Sequence, residues 1–160
     1  MDMQINPAYV LEMAERIERN GVDFYQIAAR YVSDARSAQL LLQLAAMEGR
    51  HEEIFAEMRR RLGGGPESGE PLDPDSETAL YLRGLLAGKF FDIRTTPADY
   101  LRPKDTASDI LLTAIGLEKE TLVFYEGVKQ VVRPADRPVV ERVLAEEMGH
   151  IAQLASVLRL

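Results

Sequence analysis

The chain has no cysteine, no tryptophan and only two histidines, and its 19 lysines and arginines are outnumbered by 26 acidic residues. Without cysteine there is no disulfide, zinc–thiolate site, iron–sulfur cluster or thiol nucleophile. A chain without disulfides fits a reducing interior, so a cytoplasmic location is the expectation. No apolar run approaches the ~20 residues that a membrane helix needs. The opening MDMQINPAY has no basic stretch leading into an apolar one, so no signal peptide is expected. A net charge of −7 repels phosphate and argues against a nucleic-acid partner. β-Branched residues do not gather into short alternating runs, which leaves little case for strands.

What is present is helical patterning over 160 residues, enough for one domain (1–160) with a real core. Asn6-Pro7 reads as an N-cap followed by proline at the first helical position. From there Val10, Met13, Ile17, Phe24 and Ile27 recur at three- and four-residue steps, which predicts a helix over 7–31. Ser33-Asp34 offers a break and a new cap before a second helix over 35–62. Gly63-Gly64-Gly65-Pro66 stops it; the run lacks the Lys-Ser/Thr of a phosphate loop and is only a stop signal. A polar, irregular crossover over 63–106 contains a short apolar helix over 77–91. Helices over 107–132 and 135–158 complete the set, joined by a turn at Arg133-Pro134. Two tight turns and one long crossover are the layout of an all-α four-helix bundle.

The chain also repeats itself. Glu18-x6-Tyr25 aligns with Glu118-x6-Tyr125, and Glu48-x-x-His51 aligns with Glu147-x-x-His150. The step between the two glutamates is 30 residues in one half (18 to 48) and 29 in the other (118 to 147). A pseudo-two-fold bundle follows. Each of the four glutamates falls near the middle of its helix, so all four reach one level. Glu and His three residues apart share a helix face, and the stripes around Glu18 and Glu118 are otherwise small, apolar or aromatic. Four carboxylates cannot share a core uncompensated, because each buried charge costs several kcal/mol or is neutralised. Two divalent cations would cancel them, with two neutral imidazoles completing the shells.

A lone Glu-x-x-His on a helix is ordinarily an exposed polar pair. Here the only two histidines each follow a glutamate by three, in matched halves, and that makes Glu18, Glu48, His51, Glu118, Glu147 and His150 a metal-ligand set. One glutamate from each of two helices plus Glu-x-x-His from each of the others is the donor set of di-iron and di-manganese carboxylate bundles. Oxygen-rich ligation with one nitrogen per ion suits two Fe(II), with manganese or a mixed pair as alternatives. Tyr25 and Tyr125 are either plain core residues or hydrogen-bond donors to a ligand carboxylate. Glu15 and Glu52 lie nearest the ligand stripe and are candidates for guiding cations inward. The first expectation for these two, as for the other acidic residues, Glu146 among them, is that they coat solvated faces.

With the halves aligned, these four motifs resemble the rubrerythrin branch of the ferritin-like superfamily over the four long helices. The resemblance implies a di-iron oxidoreductase that reduces hydrogen peroxide, or that oxidises Fe(II) with dioxygen or peroxide. It further implies Glu48 and Glu147 as bridging ligands, with Glu18 and Glu118 terminal. Rubrerythrins usually carry a four-cysteine rubredoxin domain and a further glutamate where this chain has Thr121. The sequence has neither, so an external electron-donor protein or Fe(II) itself is the expected reductant. The remaining six-ligand set looks closer to bacterioferritin. A homodimer is expected, since a long crossover can be exchanged between protomers. Two alternatives are an iron-storage bundle without turnover and a helical interaction module with a vestigial site.

Overall fold

Asn6 caps the first helix as its side chain predicts. In the computed structural model, which describes residues 6–62, 72–86, 97–102 and 104–159, Asn6 Oδ1 accepts from Tyr9 N at 2.8 Å. Pro7 follows with no N–H to leave unsatisfied, and α1 runs Pro7–Tyr31. Asp34 caps α2 (Ala35–Arg61) by accepting from Ser37 N at 2.8 Å. The short α3 (Glu77–Leu86) and a 3-10 turn at Pro97–Tyr100 lie in the crossover. Thr106 and Asp109 cap each other's backbone N–H to start α4 (Ala107–Val131). The last helix, α5, is Arg137–Leu158. Among the described residues there is no strand.

The bounds differ from expectation at one informative place. The fourth long helix begins at Arg137 rather than at 135, because Pro134–Asp136 form a separate 3-10 turn. Arg133 Nε donates to Asp136 Oδ2 at 2.7 Å, and Asp136 N to Arg133 O at 2.9 Å, which closes that turn before the helix proper. The second and third long helices each end one residue earlier than expected. The short crossover helix is seen through Leu86; its expected continuation over 87–91, like the glycine stop at 63–65, lies outside the described residues.

The long helices bury two apolar clusters, one toward each end of the bundle. The first gathers Leu11 and Ala14 of α1, Phe55 and Met58 of α2, Val128 of α4 and Val143 of α5. The second gathers Ala28 of α1, Leu41 and Leu44 of α2, Ile110 and Ala114 of α4 and Leu154 of α5. The late residues of α2 and of α4 share the first cluster, so these two helices run in the same direction. A tight turn cannot join parallel neighbours of this length, and that is why the chain needs its crossover. Between the clusters lie the mid-points of all four helices, where Glu18, Glu48, Glu118 and Glu147 are buried.

The crossover is pinned to the bundle through α3. Leu82 is fully buried, and Tyr81 Oη donates to Val123 O on α4 at 2.6 Å. Gly127 makes the approach possible: a Cβ there would lie 2.7 Å from Leu82 Cδ2 and 3.0 Å from Tyr81 Cε1. Gly127→Ala would gain about 1 kcal/mol of helix propensity and lose about 1–3 kcal/mol to overpacking. We expect a net destabilisation, read as a lower urea midpoint. A variant more stable than the parent by the full helix-propensity gain of about 1 kcal/mol would mean that α3 does not dock on α4.

Candidate metal centre

The polar layer is built by one side chain from each of α1 and α4 and two from each of α2 and α5. Glu18 and Glu118 point inward because their helices place small or apolar residues above and below them. Gly21, one turn past Glu18, leaves room for a neighbour: a Cβ there would lie 3.2 Å from Glu48 Cγ and 3.3 Å from Glu48 Oε2. His51 and His150 follow Glu48 and Glu147 by three residues on the same helix face. All six side chains are buried, none more than 4% exposed. The two imidazoles lie nearly parallel, ring centres 5.7 Å apart at 19°.

The donor atoms form two overlapping groups. Glu18, Glu48, His51 and Glu147 make one, and Glu48, Glu118, Glu147 and His150 the other, each with its atoms within 4.8 Å of one another. Glu48 and Glu147 belong to both. Glu147 sits at the centre, with Oε1 2.9 Å from His51 Nδ1 and Oε2 2.9 Å from His150 Nδ1. His150 Nδ1 also lies 3.1 Å from Glu48 Oε1 and 3.4 Å from Glu118 Oε1.

Electrostatics set these groups apart from an ordinary core. Burial pushes Glu18, Glu48 and Glu118 well above the usual carboxylate range, and the charge of Glu147 adds to the effect in each. Burial acts upward on Glu147 too, but His150 and His51 outweigh it and hold that carboxyl at about 2. Against burial, Glu118, Glu147 and Glu48 push His150 up to about 12. His51 is raised for the same kind of reason, with Glu147 and then Glu146 overcoming burial. A cluster of buried carboxyls and imidazoles so strongly perturbed is a candidate functional site.

Both tyrosines reach the cluster, and each crosses to the opposite half. Tyr25 Oη donates to Glu118 Oε1, and Tyr125 Oη to Glu18 Oε1. Burial raises both hydroxyls well above their ordinary value, so they stay protonated as donors. Glu146 is exposed, as expected, and yet places its Oε2 2.9 Å from His51 Nε2. Its position immediately before Glu147 is the one signal in the sequence, but helical angle alone turns it toward solvent. Glu15, expected on a solvated face, is instead buried, and both it and Glu52 are paired with arginines. Arg59 grips Glu15 through two bonds, Nε to Oε1 at 2.5 Å and Nη2 to Oε2 at 3.0 Å, and Arg19 holds Glu52 at 2.6 Å.

The donor set fits two cations. Glu18 Oε2, Glu48 Oε1, both Glu147 oxygens and the Nδ1 atoms of both histidines are buried without a hydrogen-bond partner among the described residues. Pairs such as Glu147 and His150 are close without hydrogen-bond geometry, as atoms are that face a common ion. Buried polar atoms are almost always satisfied, so six such atoms converging at one level call for a ligand. Fold and candidate donor set together are those expected of a carboxylate bundle, with one glutamate from each of two helices and Glu-x-x-His from each of the other two.

The comparisons agree. The Rubrerythrin family model matches residues 9–85, a stretch that holds Glu18, Glu48 and His51, and the resemblance read from the ligand spacing is borne out. A crystal structure of a ferritin-like diiron-carboxylate protein from Thermotoga maritima shares the fold, with a TM-score of 0.75 and 23% identity. That match covers 99% of this chain and 98% of the other. No curated protein matches the chain significantly. Among the described residues, no helix is long and apolar enough to cross a membrane.

Proposed function

We propose that the chain is a non-haem di-iron oxidoreductase that reduces hydrogen peroxide, or oxidises Fe(II) with peroxide or dioxygen. The observation that carries this reading is the pair of overlapping donor groups that share Glu48 and Glu147. In it, Glu18 and His51 would hold one ion, Glu118 and His150 the other, and Glu48 and Glu147 both. One nitrogen per ion among oxygens favours iron, with manganese or a mixed pair as the alternative. When bound, such a pair supplies electrons and Lewis acidity to an O–O bond. The protein's own contribution is positional. Tyr25 and Tyr125 fix the rotamers of Glu118 and Glu18 by donating to them, and the apolar clusters above and below keep bulk water from the layer. An external donor protein would supply electrons between turnovers, and a dimer in the cytoplasm is the expected setting.

Anaerobic titration should saturate at about two Fe(II) per chain. Mixing that form with peroxide in a stopped-flow instrument should then oxidise the iron far faster than buffer does. Sustained peroxide consumption with an added electron donor marks the peroxidase, and accumulation of many ferric ions per chain marks storage. Saturation near zero or one would sink the proposal.

A further inference from the structure

The two halves of the centre match in their donors but not behind them. His51 faces the cluster with Nδ1 and places Nε2 2.9 Å from Glu146 Oε2. Glu146 belongs to α5, in the opposite helix pair, and its side chain is 49% exposed. His150 faces the cluster in the same way, but its Nε2 is buried and meets no hydrogen-bond partner among the described residues. The residue that precedes Glu48, as Glu146 precedes Glu147, is Met47, which has no carboxylate to offer. The internal repeat is broken at this position, and among the described residues only one of the two outer imidazole nitrogens meets a carboxylate.

A carboxylate that accepts from the outer N–H of an imidazole fixes the tautomer, leaving the inner nitrogen free for a cation. It also orients the ring and raises its basicity as a ligand. Building on the di-metal reading above, we propose that Glu146 is a positioning residue that makes the two metal positions unequal. The His51 position binds first and holds its ion. The His150 position, with an unsupported imidazole, binds second and exchanges more readily. A chain with this asymmetry keeps one resident ion while the other comes and goes, which suits a centre whose substrate includes Fe(II) itself.

Titration with Co(II), whose visible absorption reports each position without turnover, tests this directly. The parent should show two resolved steps that sum to about two ions per chain. Glu146→Ala should keep that total and weaken the tighter step about tenfold. This is the low end of the 10–100-fold typical of such partners, because Glu146 is half exposed to water. Glu146→Gln should fall between, since its amide oxygen still accepts but carries no charge. Met47→Glu, which supplies the missing carboxylate, should strengthen the weaker step and draw the two together. A Glu146→Ala isotherm superimposable on the parent's, or a parent with indistinguishable steps, would overturn the inference and leave the di-metal reading standing. A parent that binds no Co(II) overturns both.

Discussion

Replacing Glu147 with alanine should strip both metals from the protein at once. Glu147 touches both imidazoles at 2.9 Å and belongs to both donor groups, so its loss removes a ligand from each position. It is also the one carboxyl of the four held at about 2, and so the one that stays charged over the whole working range. Metal content after purification and dialysis is expected to fall from about two per chain to near zero. Glu118→Ala is the matched control, because Glu118 belongs to one group only. It should lose one ion and leave the position that contains His51 occupied. Elemental analysis of the two variants beside the parent decides the matter. Unchanged metal in Glu147→Ala would mean that the cluster is vestigial and the bundle serves some other end.

The second large effect is a reversal of pH dependence when metal is removed. In the metal-free protein, His150 holds its proton up to about 12 against an ordinary 6.5, and His51 is also raised. The stability these imidazoles contribute is complete below about 6.5 and is lost as pH climbs toward their folded values. Glu18, Glu48 and Glu118, raised from 4.5, act in the same direction: the unfolded chain releases their protons readily while the folded chain resists. Glu147 acts oppositely, but its contribution is lost only as pH falls from 4.5 to about 2. Between pH 6 and 9 the folded chain therefore binds more protons than the unfolded one, and metal-free stability declines as pH rises. Metal needs the deprotonated carboxylates and neutral imidazoles, so its affinity climbs over the same range. At a hundredfold excess over Kd each ion adds about 2.7 kcal/mol, which for a chain of this size is a shift in Tm of roughly 5–10 °C. Melting curves at pH 6, 7.5 and 9, with and without Mn(II) or Co(II), should show a gap that widens steadily with pH. A constant gap would mean that protons and metal do not compete for these groups.

Much of the fold and of the site is legible in the residues alone. The caps at Asn6, Asp34 and Thr106 and the apolar periodicity place three helix starts to the residue, since capping and burial patterns are local properties of the chain. The start of α5 is not legible in this way, because two prolines near one turn allow either a helix or a 3-10 start, and the Arg133–Asp136 pair decides between them. Candidate ligands can be named because the internal repeat constrains them twice over. The pairing of Glu15 and Glu52 is not legible, because helical angle says which way a side chain leaves the backbone, not which arginine it meets.

By itself the sequence determined the long helices, apart from the start of α5, the level of the polar layer and the six candidate donor residues, because spacing along a helix converts directly into face and height. What only the tertiary structure decided lies between helices. It is there that Tyr25 meets Glu118 rather than its own helix's Glu18, that Glu48 and Glu147 come to stand in both groups, and that Glu146 reaches His51. None of these is periodic within one helix. Each depends on how two helices are offset when they pack, and that offset is set by the apolar clusters above and below the site rather than by the polar residues that use it.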